Sequence, residues 1–434
     1  MLRSVAVAAV FVASCATAPA AMQLAAPVGP PPPPPPAPGA AWPFAYNWSA
    51  FPAAWFGANA SHWESDAQIE AIGRYELAIF GWQHLDTPAA WTDVVYFQLA
   101  QAALVKAKHP RLPVFVYTSF GWAFGLNAGV QPIMHDPSYA DFFLRSDHGS
   151  FEFSDTDCQQ GHTSPSATAD RCVGYFWNMA NASARAYFLE HLVAPIAKAP
   201  MIDGVFYDAF NYGYDIPEVR PWGKQVVNVP GCGNHTQVWS GCEALIAGSI
   251  ALAKEVTALL NANGKIPMFA NPGSFVKPPK QEIWLDEARL VKALEGMAWS
   301  TYYESARAEN ALFGNPGLPN MLREGKAGVA AGVHTYLKSN ATTKAVEPQL
   351  AHLAQFMLAR EAHWYYFGST GWWDSSFTWD PLYDKAAACG LALGPATVDA
   401  AGLVFTRKFA SGCTATLRCA NKTAPDCTAD IAWR

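Results

Sequence analysis

A chain of 434 residues with a formal charge of −6, only 15% charged residues and no basic run lacks the electrostatic footprint of a nucleic-acid or anionic-membrane binder. Its 17 tryptophans and 51% apolar content point instead to a well-buried core and an aromatic-lined site for a neutral ligand.

Met1 to Ala21 carries Arg3, an apolar run from Val5 to Ala13, and the small residues Ala16-Thr17-Ala18. This is the pattern of a cleaved secretory signal, too short to span a bilayer. No later apolar stretch reaches the length of a membrane helix, so the expected mature chain is soluble, secreted and extracellular, without membrane contact. Residues 22–43 follow as a linker whose uninterrupted run Pro30 to Pro36 imposes an extended polyproline conformation.

From residue 44 to residue 385 short β-rich runs alternate with helical segments, which predicts an α/β fold with a parallel sheet. Strands are expected at Ala54 to Asn59, Leu77 to Trp82, Pro113 to Thr118, Asp203 to Asp208, Pro267 to Asn271, Ala293 to Trp299, Val329 to Thr335 and His363 to Gly368. Eight strands, and no GxGxxG after the first, favour a (β/α)8 TIM barrel over an open doubly wound sheet. Helices are expected at Pro88 to His109 behind a Thr87 cap, Ala182 to Lys198 behind Asn181, Glu243 to Asn261 and Glu347 to Arg360. The longest insertion, Gly121 to Gly174, follows the third strand, where loops shape clefts. Residues 386–434 read as a small C-terminal all-β domain of hairpins, with Ser411-Gly412 as a turn.

Of nine cysteines, Cys15 leaves with the signal. Cys158, Cys172, Cys232, Cys242, Cys389, Cys413, Cys419 and Cys427 remain, an even set that favours disulfides over a zinc site. Their clustering suggests Cys158 with Cys172, Cys232 with Cys242, and two bridges among the last four. Sequons at Asn47, Asn59, Asn181, Asn234, Asn340 and Asn421 fit a glycoprotein of the secretory route.

The stretch Asp203-Gly204-Val205-Phe206-Tyr207-Asp208 reads as a buried strand ending in an acid, which is where an α/β barrel keeps its chemistry. Asp203 reads as structural, at the strand's entrance. Two carboxylates from different strands suit glycoside hydrolysis, and Asp208 with Glu295 is the expected catalytic pair. The competing reading makes Asp208 a structural acid that caps a turn, and Glu304, in Tyr302-Tyr303-Glu304, is the alternative inward carboxylate. Tyr117, Asn271, Glu304, His334 and Trp372 complete the expected substrate-binding set, with aromatic faces suited to sugar rings. No metal or cofactor is implied, and GxSxG, HExxH and P-loop motifs are absent.

Asp203-Gly204-Val205-Phe206-Tyr207-Asp208, Phe269-Ala270-Asn271-Pro272-Gly273, Leu294-Glu295-Gly296 and Trp364-Tyr365-Tyr366-Phe367-Gly368 resemble the successive strand motifs of glycoside-hydrolase-like barrel families related to the endo-α-1,4-galactosaminidases. Leu393-Gly394-Pro395 and Arg407-Lys408-Phe409 resemble their C-terminal β segment, so the likeness runs over about residues 45 to 434. It implies Asp208 and Glu295 as catalytic carboxylates. It departs at Ala209-Phe210-Asn211, where such families often carry a further acid. The expected function is a secreted, cofactor-free glycosidase acting on a polysaccharide or glycan, retaining or inverting. The alternatives are an inactive carbohydrate-binding, lectin-like barrel and, less favoured, an enzyme of phosphorylated metabolites.

Overall fold

The structure, a computed structural model, describes residues 44, 47–57, 63–81, 94–125, 127–146, 149–150, 152–154, 173–208, 227–232, 243–270, 298–304, 333–338, 349–360, 365–366, 379–421 and 427–433. All of them lie in one compact unit, Pro34–Arg434.

Seven parallel strands form the main sheet. They are β1 (Ala54–Gly57), β2 (Leu77–Phe80), β3 (Val114–Ser119), β9 (Gly204–Asp208), β10 (Ile266–Ala270), β11 (Ala298–Glu304) and β12 (Val333–Lys338), in that spatial order. On the far side of β1, Ala53 bridges Tyr366 in parallel, and Tyr366 O accepts from Ala54 N at 2.7 Å. Tyr366 therefore adds an eighth strand position beside β1, at the opposite end of the sheet from β12.

The apolar runs are buried on both faces, as parallel strands require. The first four strands and β10 form where the sequence predicts them. β11 and β12 are described from Ala298 and Val333 onward, and the earlier residues of the strands expected from Ala293 and Val329 lie outside the described residues.

The sheet is strongly curled. β1 and β9 are separated by β2 and β3, which on a flat sheet is about 14 Å. Yet the ring centroids of Phe56 and Phe206 lie 5.1 Å apart. The opposite face carries Tyr207 and Phe269, whose rings stack at 5.6 Å and pack on Phe120 under Phe188 of the helical layer.

That layer starts with α1 (Asp66–Ile72), opened by a capping box between Ser65 and Gln68, and α2 (Val94–Lys108). Asn181 caps α3 (Ala182–Tyr187), which runs through a π-helical turn, Phe188–Val193, into α4 (Ala194–Ala197). The layer continues with α5 (Glu243–Ala262) and α6 (Gln349–Ala359), and α7 (Pro381–Ala388) leads into the tail. The expected Thr87 cap lies outside the described residues.

The described part of the insertion after β3 adds short strands and two 3-10 turns, Gln131–Ile133 and Pro137–Phe142. β4 (Trp122–Phe124), β8 (Val173–Phe176) and β7 (Glu152–Ser154) form an antiparallel sheet, and β5 (Arg145–Ser146) pairs β6 (Gly149–Ser150). Phe124, Leu144, Phe176, Val229, Cys232 and Leu245 make a small second core beneath it.

The tail folds as β13 (Thr397–Val398), β14 (Val404–Lys408), β15 (Thr414–Cys419) and β16 (Cys427–Ala432), an antiparallel sheet in chain order. Alternation puts Phe405, Ala415, Leu417 and Ile431 on its buried face, within the same apolar cluster as the main sheet. Gly412 turns the β14–β15 hairpin at φ 96°, a conformation that glycine adopts without strain. Cys389–Cys413 and Cys419–Cys427 are bonded, as the clustering suggests for the last four cysteines. Cys232 is also disulfide-bonded, while Cys158, Cys172 and Cys242 lie outside the described residues. Buried Arg407 of β14 donates to Gly394 O at 2.9 Å and to Arg360 O at 2.6 Å, with longer bonds to Met357 O and Leu358 O. It thereby satisfies the open carbonyls at the end of α6.

Two expectations follow from this packing. A Cβ at Gly204 would overlap the Phe115 ring and the Ile266 carbonyl, so Gly204→Ala lowers unfolding free energy by about 2 kcal/mol in chemical denaturation. Burial raises the phenol pKa of Tyr75, Tyr207, Tyr366 and Tyr383 above the ordinary value of 10.0. Above that value the unfolded chain releases these protons and the folded chain keeps them, so stability present below it falls by about 1.4 kcal/mol per pH unit for each group. Phenolate absorbance from these four tyrosines should therefore rise together with alkaline unfolding, and not before it.

Candidate active site

β9 begins and ends with an acid, and the two acids have different surroundings. Asp203, just before the strand, pairs with Lys106 at 2.6 Å and accepts Val114 N at 2.8 Å. It is a structural link between α2, β3 and β9, as expected. Asp208 ends the strand half-exposed, and its Oδ2 accepts the Tyr117 hydroxyl at 3.0 Å. Its backbone carbonyl accepts Phe120 N at 2.7 Å, which fixes the strand end.

Register shows which residues share the face of Asp208. Phe206 pairs with Tyr117 on β3 and with Met268 on β10, and the three residues form the layer below. One layer up, Asp208 pairs with Ser119, and continuation of the β9–β10 register puts Ala270 on its other side. Ala270 pairs with Ser300, and Ser300 with His334. His334 thus lies at the level of Asp208, three strands away. Glu304 is the last residue of β11, in register with Lys338 at the carboxyl end of the sheet.

Of the residues expected at the site, the structure brings Tyr117 and Asp208 into direct contact. It sets His334 on β12 in register with Ser300, and Glu304 at the carboxyl end of β11. Asn271, Glu295 and Trp372 lie outside the described residues, and β11 begins at Ala298, three residues after Glu295. Trp122, at the start of β4, packs on Phe124 and Phe176 in the insertion.

Sequence reasoning missed Gln98. Fully buried on α2, its Nε2 donates to Gly81 O at 2.8 Å, Tyr117 O at 3.1 Å and Phe80 O at 3.2 Å. It ties the carboxyl ends of β2 and β3 together directly behind Tyr117. The available signal was a glutamine on the apolar stripe Val95, Gln98, Ala102 and Val105, where a polar side chain needs a buried partner. Gln101, one turn on, is also buried and accepts Glu64 N at 2.8 Å. Among the described residues no group of three or more His, Cys, Asp or Glu is placed to hold a metal ion.

A curled parallel sheet with βα connections and a carboxylate at the carboxyl end of its fourth strand defines the α/β class whose chemistry sits at that rim. The chain belongs to hypothetical glycosyl hydrolase family 15, whose model matches residues 106–413. Among solved structures it is similar to the ligand-free cyclic α-maltosyl-(1→6)-maltose hydrolase of Arthrobacter globiformis. That likeness has 13% identity and a TM-score of 0.46, over 86% of this chain and 92% of that one. It is similar as well to the glycoside hydrolase domain of PgaB (BpsB) from Bordetella bronchiseptica, at 13% identity and a TM-score of 0.44, over 74% and 94%. No curated protein matches the chain.

Replacing Gln98 by Leu leaves three carbonyls without their buried donor. The expected loss is about 2 kcal/mol in denaturant unfolding, with the m-value unchanged.

Proposed function

We propose that this chain is a secreted glycoside hydrolase that cleaves O-glycosidic bonds of a polysaccharide or glycan with two carboxylates and no cofactor. Membership in a glycosyl hydrolase family supports the reaction class. The observation that carries the site is the Asp208 carboxylate, half-exposed at the end of the fourth strand and hydrogen-bonded to Tyr117. In this reading Asp208 is the nucleophile or base.

The partner acid is Glu295 or Glu304. β11 starts after Glu295 and ends at Glu304, and Asp208 sits at the carboxyl end of the sheet, so the register favours Glu304. We further propose that β12 closes onto the strand position of Tyr366 to complete a (β/α)8 barrel. The curl of the sheet and the bridge between Ala53 and Tyr366 support that closure. Asn271, His334 and Trp372 remain proposed substrate contacts.

The proposed organisation is a signal over residues 1–21, a proline-rich linker over 22–43, the barrel over 44–385 and the β segment over 386–434. The bonded cysteines suit an oxidising, extracellular compartment, and among the described residues no helix is long and apolar enough to cross a membrane. Kinship with the endo-α-1,4-galactosaminidases belongs to the same proposal and makes galactosamine-containing polymers the first substrates to try.

Turnover of a glycan panel by the full chain is the test. Asp208→Asn is expected to reduce turnover at least ~100-fold while leaving the thermal midpoint in place. Glu304→Gln is expected to do the same and Glu295→Gln is not. Glycan binding by the unmutated chain without any turnover would favour the lectin-like alternative.

A further inference from the structure

We infer that Tyr117 is a positioning residue that holds Asp208 ionised, and not a platform for a sugar ring. The inference rests on the reading of Asp208 as the catalytic carboxylate. The Tyr117 ring is only 4% exposed. It is wedged in the inner layer, with centroids 5.9 Å from Phe206 and 6.2 Å from Phe56, each at an interplanar angle of 27°. A ring enclosed in this way presents no face to a pyranose. Its hydroxyl emerges one layer higher, where Oδ2 of Asp208 accepts it at 3.0 Å.

Both ends of this hydrogen bond are fixed from the backbone. Gln98 holds Tyr117 O, and Phe120 N holds Asp208 O. The phenol thus fixes one carboxylate oxygen, and with it the orientation of the carboxylate at the strand end. A donor to a carboxylate favours its charged form. That suits a nucleophile or base, and it leaves proton donation to the second acid.

Among the described residues, the strands flanking β9 set four positions around Asp208. Beside β9, β10 contributes Met268 and Ala270, which do not titrate, and β3 contributes Tyr117 and Ser119, the latter accepting Trp122 N at 3.0 Å. Further across the sheet, titratable or charged residues occupy the described positions His334, Glu304 and Lys338 of β11 and β12.

Tyr117→Phe keeps the ring stack and removes one hydroxyl. In the full chain the expected result is a fall in kcat of about tenfold with KM nearly unchanged, and an acid limb of kcat/KM that moves up by about one pH unit. A readout independent of activity is the carboxyl titration of Asp208, followed by NMR in aspartate-labelled protein and assigned by its loss in Asp208→Asn. That titration should move up in Tyr117→Phe. An unchanged Asp208 titration, or a raised KM with an unmoved acid limb, overturns the inference. Full turnover in Asp208→Asn overturns the proposed function instead, while the titration still decides the hydrogen bond. If Tyr117→Phe does not fold, fluorotyrosine at position 117 serves. Its more acidic phenol should move the Asp208 titration down, and no movement overturns the inference.

Discussion

Rings from strands that are not neighbours meet on the concave face of the main sheet, and the rest of the molecule is arranged around that contact. Phe56, Tyr117 and Phe206 can touch only because the sheet bends sharply between β1 and β9. The bend turns one face into an interior that side chains must fill and leaves the other to be covered by helices. It also has a steric condition one layer down, where the Phe115 ring occupies the space above Gly204. Aromatic pairs of this kind contribute about 0.5–1.5 kcal/mol each beyond the burial of their area, so the layer is both filler and fastening.

The same layer also reaches the acid above it. From Phe206 to Asp208 the strand advances about 7 Å and passes from a sealed aromatic interior to a half-exposed carboxylate. A phenol rooted in the apolar layer and reaching the rim is suited to the join, because its ring satisfies the interior and its hydroxyl serves the acid. Asp203, at the other end of the strand, faces the cation of Lys106 and two more elements that it holds together. The residue type is the same at both ends, but one is enclosed by a cation and a backbone donor while the other meets a phenol at the strand end.

Much of this frame can be read from the residues alone. Short runs such as Leu77 to Phe80 and Gly204 to Asp208 are dense in β-formers and bounded by turns, and Asn181 marks a helix start that the structure repeats. The later strands are harder, because Ser300 to Glu304 mixes polar and aromatic residues without a clean alternation. The site was legible as a strand-end acid. The hydrogen bond from Tyr117 was not, since it joins residues 91 apart, and their meeting depends on strand order and curl, which no local pattern encodes. Gln98 escaped notice because a single amide in an apolar helix face becomes significant only when its backbone partners are known.

The guanidinium of Arg407 has an effect well outside the tail. It closes the end of α6, the helix after which the chain reaches Tyr366, and Tyr366 is the residue that bridges to β1. Phe356 of α6, Phe51 before β1 and Tyr366 pack their rings together at that point. The place where the first and last strand positions meet is therefore braced by a sheet built from the final forty residues or so of the chain. A chain cut before β13 would lose the clasp of its own seam, which makes the tail a keystone of the fold and not an appendage to it.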